Sequence, residues 1–233
     1  MTAAIDHGAL MDRVYRFQRR FGFYDATRKY YLLARDPMLA GLTPPPGGTV
    51  LEIGCGTGRN LVHAARRYPQ TRFHGIDISR EMLEAAGNAV HRAGMQDRIR
   101  LALADAAAFD PQRTFGRDRY DRIFLSYAVS MIPQWRAVVS EAAGHLAPGG
   151  ELHIAEFGDM AALPAFSKRA MYAWLRWYHV TPRTDLFEVA AETAAALGGA
   201  SETRRLHRDF SWIAVIRKPA DPAGGHPAPR PAS

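Results

Sequence analysis

The chain has 233 residues, 47% of them hydrophobic, and a formal net charge of +7 at pH 7. These values predict one domain of generous size, or one domain with appended arms, and they favour anionic partners without choosing between nucleic acid, a phospholipid surface and acidic metabolites. A single cysteine, Cys55, excludes an internal disulfide and a multi-cysteine zinc site, and no site for a metal is predicted.

Hydropathy patterning gives no sign of a membrane span or a secretory leader. No apolar run approaches the roughly 18 residues that cross a bilayer. The first residues, MTAAIDHGALMDRVYRFQ, lack the apolar core of a signal peptide. A cytoplasmic location is therefore expected.

The first predicted element is a helix over residues 5–36, with a weak point at Gly22. Arg13, Arg16, Arg19 and Arg20 fall largely off one continuous stripe of this helix. Such a helix could lie on an anionic membrane surface, pack on the following domain, or do both along its length. Residues 1–46 are predicted to be a helical lid and membrane-surface arm. The stripe recurs at alternating intervals of four and three residues: Leu10, Val14, Phe17, Phe21, Tyr24, Arg28 and Tyr31.

The middle of the chain alternates strands with helices, which predicts an α/β fold with a mostly parallel sheet. A helical insertion is predicted at 160–198, then a closing antiparallel hairpin at the sheet edge. Residues 219–233, rich in Pro, Ala and Gly, are predicted to be a disordered tail, so the domain spans 47–218. The predicted strands are TVLEIG, RFHGIDI, RIRLALAD, YDRIFLSY and ELHIAEF; the predicted helices are 58–68, 79–92 with Ser79 as N-cap, and 133–147 with Pro133 in the first turn and Pro148-Gly149-Gly150 as the stop.

The strand TVLEIG runs into a glycine-rich loop and then a helix, an arrangement in which the backbone can approach a ligand closely. Gly54, Gly56 and Gly58 occupy relative positions one, three and five, whereas a dinucleotide fingerprint needs one, three and six. No Gly-Lys-Ser/Thr follows, which excludes a phosphate-binding P-loop. The acid Glu52 beside the loop would repel a pyrophosphate and attract a cation.

This Glu-x-Gly-x-Gly-x-Gly run resembles motif I of the class I S-adenosylmethionine-dependent methyltransferases. The resemblance covers about residues 47–217 and implies a Rossmann-like sheet of seven strands, mostly parallel with the last antiparallel, and S-adenosylmethionine as cofactor. Asp77 then has the place of the ribose ligand, with Ile78 beside the adenine; Asp105 would accept from the adenine amino group and the Ala106 N–H would serve a ring nitrogen. Alone, each acid could equally be a turn residue or a helix cap.

A second resemblance concerns the acceptor. YDATRKYYLLARD, from Tyr24 to Asp36, resembles the signature of the bacterial betaine-lipid synthesis N-methyltransferases, departing from it at Ala34, where those enzymes have glycine. GTGRN (56–60), LSYAVSMIP (125–133) and YHVTPR (178–183) extend the likeness. Such enzymes methylate the amine of diacylglyceryl-homoserine three times. A glycine with a positive φ at this place would make alanine strained.

The resemblance implies roles for individual residues. A lipid with an amino head group is the expected substrate, and aromatic faces would suit its methylated ammonium. The implied catalytic residues are Tyr24, Tyr127 and His179, with His179 as candidate proton acceptor. The implied cofactor-binding residues are Tyr24, Arg28, Tyr31, Glu52, Gly54, Gly56, Gly58, Asn60, Asp77, Ile78, Asp105, Ala106 and Ser126. The implied substrate-binding residues are Tyr30, Tyr127, His179 and Arg183.

Other functions stay open at this point. Phosphatidylethanolamine or another small amine could be the acceptor, and a non-catalytic cofactor-binding adaptor at a membrane surface is an alternative of another class. A nucleic-acid partner is not expected, because the Asn/Asp-Pro-Pro-Tyr run of amino-methylating DNA enzymes is absent. The protein is expected to be peripheral on the inner membrane face.

Overall fold

A computed structural model describes residues 32–177 and 180–221. The predictions for residues 1–31, which include most of the lid, and for Tyr178, His179 and residues 222–233 lie outside the described residues. Seven strands form one sheet in the order β3-β2-β1-β4-β5-β7-β6. Strand β7 is antiparallel to both of its neighbours, β5 and β6. The pairings β3-β2, β2-β1, β1-β4 and β4-β5 are parallel. The predicted α/β fold and its edge hairpin are confirmed.

Helices and strands alternate along most of the described chain. The helices are α1 (Arg35–Gly41), α2 (Arg59–Arg67), α3 (Arg80–Arg92), α4 (Pro111–Phe115), α5 (Trp135–Gly144), α6 (Ala165–Trp177) and α7 (Leu186–Ala196), with a 3₁₀ turn at Val129–Met131. The strands are β1 (Thr49–Ile53), β2 (Arg72–Asp77), β3 (Ile99–Leu103), β4 (Tyr120–Ser126), β5 (Leu146–Phe157), β6 (Ala200–Leu206) and β7 (Ser211–Arg217).

The sheet is covered on both faces, which explains the almost continuous apolar strands. One hydrophobic cluster includes Leu186 and Val189 of α7 together with Trp135 of α5. The cluster on the opposite face includes Leu61 of α2 and Leu175 of α6. All five residues of β1 are buried between them. This central strand therefore carries its glycine loop to a fixed position.

The predicted N-terminal helix differs from the structure where its end can be seen. Residues 32–34 form a turn, and helix α1 begins only at Arg35. Ala34 has φ −79°, so alanine at this place is not strained and needs no glycine. Leu39 and Leu42 are buried in the same cluster as α2 and α6. The segment after the lid is thus part of the domain core.

Helix ends follow local side-chain chemistry. Ser79 caps α3 as predicted, its hydroxyl accepting from the Met82 N–H at 3.3 Å. The helix predicted at 133–147 was too long, since α5 ends at Gly144 and Pro148-Gly149-Gly150 lie inside β5. They lie beside an irregularity in the pairing of β4 with β5. A Cβ at Gly150 would come 2.8 Å from the Ala147 carbonyl oxygen, so the tripeptide serves the strand and not a helix stop.

The predicted insertion at 160–198 consists of two helices on opposite faces of the sheet. Leu175 of α6 packs on the face that carries α2, whereas Leu186 of α7 packs on the face that carries α5. Residues 180–184 between them are not helical. In residues 32–177 and 180–221, no helix combines the length and apolarity that a bilayer crossing requires. The same residues contain no cluster of three or more His, Cys, Asp or Glu able to hold a metal ion.

Candidate functional site

The strand order reverses at β1, which has β2 on one side and β4 on the other. Loops that leave the carboxyl ends of β1 and β4 consequently diverge and open a crevice, the usual ligand site of such sheets. The glycine loop of residues 54–58 leaves β1 into this crevice, and α2 begins immediately after it. The strand, glycine loop and helix that the sequence predicted in succession therefore lie together beside the crevice.

Gly58 and Gly56 are required in the loop for different structural reasons. Gly58 has φ +73°, and a Cβ on it would come 2.9 Å from the Ala86 Cβ of α3. Gly56 also has positive φ, at +53°, yet a Cβ there would meet nothing within 4 Å. Gly58 is needed for helix packing, whereas Gly56 faces open space. Open space beside a bare backbone is what close approach of a ligand requires.

Glu52 of β1 is fully buried beneath the loop. Its Oε1 accepts a 2.8 Å hydrogen bond from the Asn60 side chain, and its Oε2 has no hydrogen-bond partner among the described residues. Burial raises the pKa of Glu52 well above its usual range, while the Asn60 hydrogen bond and the nearby Arg35 guanidinium oppose the rise. An unpaired acceptor in a buried carboxyl is costly, and a cationic group in the crevice would satisfy it.

Asp77, at the carboxyl end of β2, links the glycine loop to α3. One carboxylate oxygen accepts from the Gly56 N–H at 2.8 Å, and the other accepts from the Ser79 N–H at 2.9 Å. A carboxylate at the carboxyl end of this strand is the kind of acceptor that two vicinal ribose hydroxyls require. Ile78, next in the chain, is half-buried. The carboxylate thus both shapes the loop and can receive a ligand.

Asp105 and Ala106 follow β3, the strand beyond β2. Asp105 accepts from the Ala107 N–H at 2.9 Å in a local turn, and both residues are half-buried. The carboxyl ends of three adjacent strands therefore carry Glu52, Asp77 and Asp105 at the same edge of the sheet. Cys55, in the loop itself, is buried and unpaired, as expected for a small filling residue.

On the other side of the crevice, β4 ends at Ser126 and Tyr127. The Ser126 hydroxyl is buried without a hydrogen-bond partner in the part of the chain that the structure describes. Tyr127 has a positive φ of 54°, an uncommon backbone for a bulky residue. Its ring is buried, and its hydroxyl accepts from the Ala34 N–H at 3.0 Å and is hydrogen-bonded to Ser211 at 2.9 Å. Burial raises the pKa of Tyr127. This placement favours a positioning role, and direct contact with substrate stays a prediction.

The segment after Tyr127 is held by two charged side chains. Glu156, fully buried at the end of β5, accepts from the N–H groups of Ser130 at 3.0 Å and Phe157 at 2.8 Å. Arg183 donates to the carbonyls of Val129 at 3.1 Å and Ile132 at 3.0 Å. The 3₁₀ turn at Val129–Met131 is thus fixed from both sides.

The electrostatics of this pair follow from burial. Burial raises the pKa of Glu156 to about 7, although its two backbone hydrogen bonds and the Arg183 charge oppose the shift. Burial also lowers the pKa of Arg183, whose guanidinium lies 5.7 Å from the Trp135 ring centroid. Because Arg183 already donates to two carbonyls, binding of a substrate carboxylate by this residue stays a prediction.

Glu156 and Arg35 are not among the residues that the sequence predicts for the site. Glu156 is an acid at the end of a predicted strand, so the reasoning applied to Asp77 and Asp105 would have found it. Arg35, only 5% exposed, lies near Glu52 and Tyr127, and its burial could not be read from the sequence. The remaining predicted site residues, Tyr24, Arg28, Tyr30, Tyr31 and His179, lie outside the described residues.

Comparison with known proteins agrees with this geometry. Residues 50–150 match the Methyltransferase domain family. The chain is 33% identical to phosphatidylethanolamine N-methyltransferase of Cereibacter sphaeroides over 144 residues, covering 62% of this chain and 68% of that protein. It is 36% identical to the methyltransferase GfsG of Streptomyces halstedii over 110 residues, covering 47% of this chain and 38% of that protein.

Among solved structures, phosphoethanolamine N-methyltransferase 2 of Haemonchus contortus in complex with S-adenosyl-L-methionine has a TM-score of 0.63 at 20% identity. That likeness covers 79% of this chain and 52% of the other, and it concerns the fold. The open space beside Gly56 and the unpartnered oxygen of Glu52 suit a cationic adenosyl ligand, and binding of its ribose by Asp77 stays a prediction. The chain belongs to the class I S-adenosylmethionine-dependent methyltransferases.

Proposed function

We propose that the protein transfers methyl groups from S-adenosylmethionine to the amine of diacylglyceryl-homoserine, in three successive steps that give the trimethylated betaine lipid. The observation that carries the proposal is the position of the segment resembling the betaine-lipid N-methyltransferases. Its described end, residues 32–36, is hydrogen-bonded to the residue that follows β4, since the buried Ala34 donates its N–H to the Tyr127 hydroxyl at 3.0 Å. A segment specific to the acceptor would be expected beside the strand that faces the acceptor.

The donor supplies a methyl carbon activated by positive sulfur. In each step the lone pair of a neutral amine forms the new N–C bond while the C–S bond breaks and its electron pair goes to sulfur. Alignment and exclusion of water contribute more to such a displacement than acid–base chemistry does. The first two products must lose a proton from nitrogen before the next transfer. His179 remains the predicted acceptor of that proton.

The described residues contribute mainly by fixing the two partners in line. Asp77 and Glu52 would hold the ribose and amino group of the donor. Tyr127, bonded to Ala34 and Ser211, holds the end of β4 against the acceptor segment. The fixed 3₁₀ turn after it keeps this wall in place, so the reacting groups need little reorganisation.

The direct test supplies the purified protein with S-adenosylmethionine and diacylglyceryl-homoserine, with mass spectrometry of the lipid. Additions of one, two and three methyl groups are expected. Methylation of no lipid, or only of phosphatidylethanolamine offered in parallel, would refute the homoserine acceptor. Asp77→Ala, which we expect to bind the donor more weakly, is the matched control variant and should give less methylated lipid.

Phosphatidylethanolamine is the second candidate acceptor. The 33% identity to the Cereibacter sphaeroides enzyme favours it. A competition assay with both lipids separates the candidates, because only one head group carries a carboxylate beside its amine.

A further inference from the structure

Helix α6 has an exposed face that no other part of the described chain covers. Phe166 is 77% exposed, far more than is usual for a large apolar side chain in a folded domain. Ala170 and Ala173 follow it at helical spacing and are exposed too. They form one apolar row along the helix, which we call the α6 stripe.

Cationic side chains border this stripe. Arg169 and Arg176 are exposed on the same edge of the helix, seven residues or two turns apart. Residues 160–184 also contain Lys168 and Arg183 but no Asp or Glu. Asp159 and Asp185 lie just outside this range, but helix α6 itself carries no acid. An apolar row beside a row of arginines is complementary to a surface that is negatively charged outside and apolar beneath.

The opposite face of α6 fixes the helix near the crevice. Leu175 is buried in the cluster that contains Tyr127 and Phe157, at the ends of β4 and β5. The Thr181 N–H, just beyond the helix, donates to the Ser130 carbonyl at 3.2 Å. The stripe therefore lies on the outside of the same helix whose inside packs against the wall of the candidate site.

We infer that the α6 stripe docks on the surface of an anionic phospholipid bilayer, with Phe166 inserted among the acyl chains and Arg169 and Arg176 on lipid phosphates. This rests in part on the lipid acceptor proposed above, since a site beside a docked helix can receive a head group from the bilayer. Nucleic acid could bind the two arginines through its phosphates, but such a partner does not explain the apolar row or the exposed Phe166.

Vesicle sedimentation of the full chain tests the inference. Vesicles containing phosphatidylglycerol should carry the protein down, and pure phosphatidylcholine vesicles should not. Arg169→Gln combined with Arg176→Gln should weaken binding by roughly 30-fold, because each cation near an anionic surface contributes about fivefold. Phe166→Ser should weaken it by about fivefold through lost insertion.

Matched variants elsewhere control for charge and hydrophobicity. Arg66→Gln with Arg80→Gln removes two exposed arginines from α2 and α3, and Leu103→Ser removes the other exposed large apolar side chain of the described chain, 44% exposed. Both should bind vesicles as the wild type does. Equal binding by stripe and control variants, binding that ignores lipid charge, or binding to nucleic acid alone would overturn the inference.

The experiment is independent of catalysis. Neither the donor nor an amine lipid is present in these vesicles, so loss of docking and absence of methyl transfer are separate results. Because the substituted residues are exposed, thermal unfolding of each variant should match the wild type and exclude a folding defect.

Discussion

The two sides of the crevice differ in how their polar groups are satisfied. On the side of β1 and β2, Glu52 has an oxygen and Asn60 has an amide oxygen with no hydrogen-bond partner among the described residues, and Gly56 faces open space. On the side of β4 and β5, the Tyr127 hydroxyl and the Glu156 carboxyl are hydrogen-bonded to other parts of the chain. The Ser126 hydroxyl, also on this second side, is buried without a hydrogen-bond partner among the described residues. The first side thus offers unpaired acceptors to a ligand, whereas Tyr127 and Glu156 on the second side stabilise the backbone.

Buried polar residues near a site therefore do not all bind substrate. Unsatisfied buried atoms cost free energy that a ligand can recover. Satisfied ones instead stabilise the backbone that carries the site. We call the side of β1 and β2 the donor side and the side of β4 and β5 the acceptor side, after the roles proposed above. Variants on the donor side should therefore change affinity for the donor, and variants on the acceptor side should first change stability.

Glu156→Gln gives the largest expected effect on the acceptor side. Burial raises the pKa of Glu156 from 4.5 to about 7 in the folded protein, so between these pH values the folded chain binds a proton that the unfolded chain has released. The group's stabilisation is full below pH 4.5 and falls as the pH rises to 7, by up to about 3 kcal/mol. An amide cannot titrate. As the pH rises from 4.5 to 7, the free energy of unfolding of the variant should therefore increase relative to that of the wild type by up to that amount.

Denaturant unfolding at both ends of the window measures this shift. Glu192→Gln, an exposed carboxyl on α7, serves as control and should differ from the wild type equally at both pH values. A constant difference for Glu156→Gln would contradict burial of a titrating carboxyl at this place.

On the donor side, Asp77→Ala should weaken S-adenosylmethionine binding by about 100-fold, since the ribose loses its acceptor and the Gly56 N–H loses its anchor. Isothermal titration measures it. Ser79→Ala is the control: it should lose about 1 kcal/mol of stability with the helix cap but keep its affinity. Equal affinity in Asp77→Ala and wild type would remove Asp77 from the site.

Two glycine substitutions separate packing from binding within one loop. Gly58→Ala should destabilise the fold by about 2 kcal/mol, because its positive φ and the close Ala86 both oppose a methyl group. Gly56→Ala meets no protein atom, so its stability should fall by only about 1 kcal/mol while donor affinity falls further. Thermal unfolding and titration of both variants test the pair; the reverse order would refute the assignment of open space to the ligand.

Tyr127→Phe should cost about 1–2 kcal/mol of stability, because the buried Ala34 N–H and the Ser211 hydroxyl both lose a partner. Tyr172→Phe removes a hydroxyl with only a weak 3.4 Å bond to Asp159 and should change stability little. If Tyr127→Phe is as stable as wild type and only turnover falls, Tyr127 contacts substrate and does not act through position.

The parts of the fold that depend on local pattern could be predicted from the sequence. The strands, the Ser79 cap and the acids at the strand ends each follow from neighbouring residues and their periodicity. Features that depend on how distant strands pair could not be predicted in this way. Pro148-Gly149-Gly150 has the composition of a helix stop, and only its place beside the irregular β4–β5 pairing shows that it belongs to a strand.

The same limit applies to the site. Asp77 could be predicted because the resemblance to motif I implies an acid at the end of the second strand, and the structure has Asp77 at that end. Arg183 resembles a free recognition residue in the sequence, yet its guanidinium donates to carbonyls more than fifty residues away, Val129 at a separation of 54 and Ile132 at 51. Tyr127 likewise gives no local sign that its hydroxyl joins Ala34 to Ser211. Long-range hydrogen bonds decide which polar residues remain available to a ligand.

A crystal structure of the protein with S-adenosylhomocysteine, the demethylated donor, would show whether the crevice beside β1 holds the donor. We expect ribose hydroxyls on the Asp77 carboxylate, the amino group at the unpartnered oxygen of Glu52, and adenosyl density passing over Gly56. An empty crevice beside a ligand bound elsewhere, or a dinucleotide held there in preference, would contradict it.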